Sequence, residues 1–195
     1  TYQGQEIEVF TKSLPVTDTP QKAKIELIKT DEETKKPLAN AEYGIYAYAD
    51  IIVNGETKVT AGTLVDTVKT DADGKATSKE LYLGEYLVKE LTAPKDYVLS
   101  DEEHIVTLEY KGQEVEIYST SLKVTDTVQK GIIAIQKKGE VLTDVEKTES
   151  DYGEILTPIY EKRYLADAEY EIYADEDIIV NGETKVTAGT LVDTV

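Results

Sequence analysis

Short runs rich in Val, Ile, Thr and Tyr alternate with polar residues along most of the chain. This is the period of two that half-buried strands need, not the 3.6-residue period of helices. The clearest runs are Lys24–Thr30, Glu42–Tyr48, Glu85–Leu91, His104–Tyr110 and Glu114–Ser119. Turn chemistry separates them. Asn54-Gly55 lies between Ile51-Ile52-Val53 and Thr57-Lys58-Val59, and two-residue hairpins favour that dipeptide because both positions take positive φ. Asp73-Gly74 marks a second turn. No stretch sustains a helical period. Several short strands per unit of roughly 100 residues predict an all-β sandwich of immunoglobulin-like type.

The chain also repeats itself. Tyr2–Lys22 aligns without a gap on Tyr110–Lys130, an offset of 108 residues. Asp50–Val68 recurs unchanged as Asp177–Val195, an offset of 127. The 19-residue difference is an insertion in the later copy, placed at about 139–164. Repeats at a fixed period mark tandem architectures. The expected parts are 1–19 as the C-terminal strands of one repeat, 20–127 as a complete repeat, and 128–195 as the N-terminal half of a third. The chain is therefore expected to be a piece of something longer.

Strand parity then exposes a chemical anomaly. In Lys24–Thr30 one face carries Ile25, Leu27 and Lys29, so an apolar face ends in a lysine. Gly84, Tyr86, Val88 and Glu90 share another face, and Leu122, Val124 and Asp126 a third. The inward set of the complete repeat is thus Lys29, Glu90 and Asp126. Its echoes in the flanking pieces are Asp18, after Leu14 and Val16, and Lys137, after Ile133 and Ile135. Unpaired buried charges cost several kcal/mol each. Three resolutions are open: the groups reach water at strand ends, they form a plain ion pair, or they react. Burial disfavours charged forms, so a dry site promotes a neutral, nucleophilic amine beside a neutral acid. Attack of Lys29 on Asp126, with Glu90 shuttling protons, would leave a neutral amide.

Composition narrows the function classes. The net charge of −18 repels nucleic-acid phosphates and anionic lipid headgroups. No Cys is present, so neither a disulfide nor a thiolate metal site exists, and a covalent staple must use other chemistry. No apolar run reaches membrane-spanning length. Asp71-Ala72-Asp73-Gly74 hints at a calcium loop, but Lys75 and Tyr82 fall where oxygen ligands are needed, so it is read as a turn. His104 is the sole histidine and is read as a strand residue. No cofactor, metal site or enzymatic constellation is expected.

Three segments carry a family resemblance. Lys29-Thr30-Asp31 with Pro37-Leu38-Ala39-Asn40-Ala41-Glu42-Tyr43-Gly44-Ile45-Tyr46 resembles a first-strand K-x-D followed by P-L-A-G-A-x-F-x-L-Y. Gly84–Tyr97 resembles G-x-Y-x-V-x-E-x-x-A-P-x-G-Y, and Val124-Thr125-Asp126 ahead of Gly131 resembles a closing V-T-N before K-G. Together these resemble the Cna-B-type, SpaA-like prealbumin-like domains of Gram-positive surface adhesins and pilins. Asn40 and Asp96 stand where Gly is usual, which bears on turns. Asp126 stands where Asn is commoner, which makes water the leaving group instead of ammonia. The resemblance implies an autocatalytic isopeptide bond between Lys29 and Asp126, promoted by Glu90. Asp18 and Lys137 lack their partners within this chain.

The resemblance also implies a setting. The expected function is a structural stalk or shaft repeat of an extracellular, cell-surface protein, with neighbouring repeats as partners and no turnover. The alternative is an adhesive module for a host matrix protein or glycan, for which the Tyr-bearing insertion, with Tyr152, Tyr160 and Tyr164, is the candidate surface. An accessory domain of a secreted carbohydrate enzyme is a third reading.

Overall fold

A computed structural model describes residues 13–195. Most of the segment expected to close an upstream repeat (1–19) lies outside the described residues, and 13–20 carry no strand. The chain divides into two units. The first comprises residues up to Pro94 together with Leu99–Thr127; the second comprises Lys95–Val98 and Val128–Val195.

Ten strands build the first unit. They are β1 (Lys22–Asp31), β2 (Glu42–Ala47), β3 (Ile51–Val53), β4 (Glu56–Val59), β5 (Leu64–Lys69), β6 (Lys75–Thr77), β7 (Leu81–Tyr82), β8 (Gly84–Thr92), β9 (Glu103–Leu108) and β10 (Ile117–Asp126). One sheet runs β10-β1-β6, with β7 also paired to β1; the other runs β5-β2-β8-β9. The first and last strands, β1 and β10, pair in parallel over their whole lengths, from Lys22 opposite Ile117 to Asp31 opposite Asp126.

The alternation seen in the sequence is what closes the core. Ala23, Ile25 and Leu27 of β1 and Val124 of β10 pack in one cluster with Tyr43 and Ile45 of β2, Tyr86 and Val88 of β8, and Val106 and Leu108 of β9. This is the two-layer β-sandwich that the patterning predicts.

One run differs. Glu114–Ser119 reads as a strand, yet β10 begins only at Ile117. The Gln21 side chain accounts for it. Its amide donates to the carbonyls of Gly112 and Val115 and accepts the Lys111 N–H at 2.8 Å. Those backbone groups are satisfied by a side chain and need no ladder.

Turn chemistry follows the sequence closely. Asn54 and Gly55 take φ of 51° and 79° between β3 and β4. Asn40 and Asp96, the two residues standing where Gly is usual, adopt φ of 69° and 74°; Asn and Asp tolerate that region better than other side chains. Asp71 is a turn residue whose carboxylate accepts the N–H groups of Asp73 and Lys75, both at 2.9 Å.

Gly74 has a specific job. Its carbonyl accepts the Lys29 N–H at 2.8 Å, while the Lys29 carbonyl accepts the Leu38 N–H at 3.0 Å. Gly74 has φ of 70°, and a Cβ there would collide with the Lys29 carbonyl oxygen. Gly74→Ala is therefore expected to cost at least about 2 kcal/mol and to displace β1 at Lys29. A fall in the urea midpoint of that size, at unchanged m-value, is the check.

The second unit carries β11 (Lys138–Ser150), β12 (Gly153–Tyr164), β13 (Glu171–Tyr173), β14 (Ile178–Val180), β15 (Glu183–Val186) and β16 (Leu191–Thr194). The region read as an insertion is a long two-stranded hairpin, β11–β12. The duplicated segment folds alike in both places. Asn181 and Gly182 take φ of 48° and 75°, and Asp177 caps the Ala188 N–H at 2.8 Å just as Asp50 caps Ala61. No helix among the described residues is long and apolar enough to cross a membrane.

Candidate functional site

Period-two geometry carries Lys29 inward. The buried positions of β1 are Ala23, Ile25, Leu27, Lys29 and Asp31, so the face that supplies core side chains also supplies a lysine. Lys29 is fully buried. On β10 the same logic turns Val124 and Asp126 inward. Lys29 lies opposite Val124 in the parallel register, which puts Asp126 on the diagonal two residues along. Glu90 arrives from the other sheet, at the end of the buried row Tyr86, Val88, Glu90 of β8.

These three side chains meet. Lys29 Nζ pairs with Asp126 Oδ1 and sits 3.2 Å from Glu90 Oε1. All three side chains are at most 1% exposed. The Glu90 Oε1 approach is ionic in distance without being a directed hydrogen bond, for neither Glu90 Oε1 nor Asp126 Oδ2 has a hydrogen-bond partner. Glu90 Oε2 is fixed by the Ser100 N–H at 2.9 Å.

One cation facing two carboxyls leaves an excess negative charge in a dry interior unless a carboxyl holds a proton. The electrostatics of Asp126 follow from that. Burial pushes its carboxyl above the usual range, the Lys29 ammonium pulls it down, and Glu90 close by pushes it up again, with a net upward shift.

Two further buried polar side chains go unassigned in the sequence reading, and one of them, Tyr43, belongs to this site. Tyr43 of β2 lies directly across from Glu90 in the β2–β8 ladder, and its hydroxyl accepts a hydrogen bond from Lys29 Nζ at 2.7 Å. Asp31 is buried at the end of β1, where its carboxylate accepts the N–H groups of Glu33 and Thr34 at 2.9 and 2.6 Å. Parity was the available signal for both. Asp31 continues the Ile25-Leu27-Lys29 row, and Tyr43 shares a face with Ala41 and Ile45.

The remaining candidates lie elsewhere. Asp18 and Lys137 are both exposed. Lys137 lines an open cleft of the second unit together with Ile133, Ile135 and Tyr170. His104 sits 3.6 Å from the Glu102 carboxylate at the surface. Among the described residues no group of three or more acidic or histidine side chains is arranged to hold a metal ion.

Comparison with known proteins gives concordant results. The family described as SpaA, prealbumin-like fold domain, matches residues 23–123. The trypsin-resistant surface T6 protein of Streptococcus pyogenes serotype M6 is 32% identical over 102 residues, which are 52% of this chain and 17% of that protein. The collagen adhesin of Staphylococcus aureus is 27% identical over 176 residues, 87% of this chain and 13% of the adhesin. The chain thus spans less than a fifth of either relative. Among solved structures, the T6 backbone pilin aligns at 34% identity over 44% of this chain and 16% of that one, with a TM-score of 0.37. The full-length major pilin SpaD of Corynebacterium diphtheriae aligns at 21% identity over 64% of this chain and 33% of its own, with a TM-score of 0.45.

Proposed function

The chain belongs to the SpaA prealbumin-like fold family, and from that premise we propose that it is a shaft or stalk segment of a cell-surface pilin or adhesin, locked by an isopeptide bond between Lys29 and Asp126. The observation that carries this reading is the burial of a lysine, a glutamate and an aspartate against one another at the ends of the first and last strands. The relatives are surface and pilus proteins, and a load-bearing role suits a domain whose first and last strands are neighbours.

The chemistry balances with these three groups. Lys29 gives one proton to the Asp126 carboxylate, leaving a neutral amine and a neutral acid. Nζ attacks Asp126 Cγ. Glu90 donates a proton to the departing oxygen and takes one from Nζ, and the Cγ–O bond breaks as water leaves. Glu90 ends in the state in which it began, which makes it a catalyst used once. Ser100 holds Oε2, so Oε1 is the oxygen free to carry the proton. The product has no charge on Lys29 or Asp126, which removes the cost of burying two ions.

Intact mass of the folded chain tests this. The wild type is expected to weigh one water less than its sequence, and both Lys29→Ala and Glu90→Ala to keep the full mass. A wild-type chain of full mass would remove the bond.

A second reading, adhesion, draws on the β11–β12 hairpin and the likeness to the collagen adhesin. Tyr152, Tyr160 and Tyr164 are exposed there, as are Leu142 and Leu156. Binding of immobilised matrix protein by the wild type, lost on deleting 139–164, would favour it.

A further inference from the structure

We propose that Tyr43 is a positioning residue for amide formation, its hydroxyl oxygen holding one Lys29 N–H so that the nitrogen lone pair is aimed at Asp126. This rests on the isopeptide reading above and adds a fourth group to it.

A lysine ammonium has three N–H donors in a tetrahedral arrangement and no acceptor. Around Lys29 Nζ the structure places three oxygens: Tyr43 Oη at 2.7 Å, Glu90 Oε1 at 3.2 Å, and Asp126 Oδ1. Two of them, Tyr43 Oη and Asp126 Oδ1, are hydrogen-bonded to it, while Glu90 Oε1 lies within ionic distance. When the proton facing Asp126 is given up, the orbital left behind points along the line to the Asp126 carboxyl. A second N–H remains held by the Tyr43 hydroxyl oxygen. An amine free to rotate would present its lone pair to the carboxyl for only part of the time, and orientation of this kind is a recognised part of rate acceleration.

The placement of the hydroxyl is over-determined. Tyr43 is 2% exposed and belongs to the core cluster. It is locked into the β2–β8 ladder opposite Glu90, so the hydroxyl that holds the amine comes from the sheet facing the two reacting groups. A phenylalanine would fill the same space but would leave an N–H of Lys29 facing carbon. Burial, and then the Glu90 and Asp126 carboxyls, push the Tyr43 hydroxyl above its ordinary range, so it stays a neutral phenol. Tyr170 stands in the repeat where Tyr43 does, and it lines one open cleft with Lys137.

The test is the rate of water loss after synthesis. Chains made by cell-free translation are quenched into acid denaturant at intervals and weighed. Tyr43→Phe is expected to lose water about tenfold more slowly than the wild type, the rate equivalent of one buried hydrogen bond. Replacing Tyr43 by 3,5-difluorotyrosine keeps a near-isosteric ring but weakens the oxygen as an acceptor, and should give an intermediate rate. A packing role would not produce that grading. Equal rates for wild type and Tyr43→Phe overturn the inference, as does a difluorotyrosine chain that matches the wild type while Tyr43→Phe is slow. A wild type that never loses water overturns the bond itself, and Tyr43's role with it.

Discussion

Lys29→Ala is expected to destabilise the first unit by more than the cross-link alone is worth. The bond would close a loop of 97 residues. By analogy with a disulfide of that span, the denatured chain would lose entropy worth about 4–5 kcal/mol. Removing the lysine also leaves Glu90 and Asp126 buried without a cation, and stripping one partner from a buried ionic cluster costs about 3–5 kcal/mol. The two losses need not add fully. Together they still rival the ~5–15 kcal/mol total stability of an ordinary domain. Glu90→Gln separates them. It removes the proton shuttle, and hence the bond, but leaves Lys29 paired with Asp126. Its loss should stay near the entropic figure. Urea unfolding followed by far-UV circular dichroism should therefore rank the midpoints wild type, then Glu90→Gln, then Lys29→Ala. Three coincident curves would show that no covalent link stabilises the unit.

Much of this site is legible in the sequence because a strand's side-chain period is an integer. A charged residue at i+2 from a leucine can be assigned to the core face without knowing the fold. Parity turns Lys29, Glu90 and Asp126 inward on three separate strands. Periodicity does not tell which inward residues on different strands meet. That depends on register, here the parallel pairing that puts Lys29 opposite Val124 and the ladder that puts Tyr43 opposite Glu90.

Tyr43 is not legible in this way because a tyrosine on an apolar face is satisfactory as a core residue, and only the position of its hydroxyl reveals a second role. Asp31 is hidden for the opposite reason. Its carboxylate is taken up locally by the Glu33 and Thr34 N–H groups, and parity, which turns Asp31 inward, says nothing of those partners. The misplaced start of β10 has the same origin. A single side chain, Gln21, supplies the hydrogen bonds that patterning assigned to a ladder, from a position some ninety residues away.

Pulling on the two ends of the chain should show the largest effect of all. Load enters the first unit at the Lys22 end of β1 and leaves at the Asp126 end of β10. Because these strands are parallel, the two points lie at opposite ends of the pair, and without a cross-link the force shears their hydrogen bonds. Once they part, everything between the strands is free to extend. Roughly 100 residues at up to 3.6 Å each, less about 33 Å of folded strand, gives a step of roughly 330 Å. With Lys29 joined to Asp126, tension runs along β1 for a few residues, crosses the amide, and exits. The segment between the two bonded residues never feels the load, and an amide survives forces that shear a strand pair. Single-molecule traces of the Lys29→Ala chain should therefore contain that long step, while wild-type traces should lack it and keep only the shorter extensions of the second unit. If the long step appears in both, the first unit is held by its hydrogen bonds and core alone.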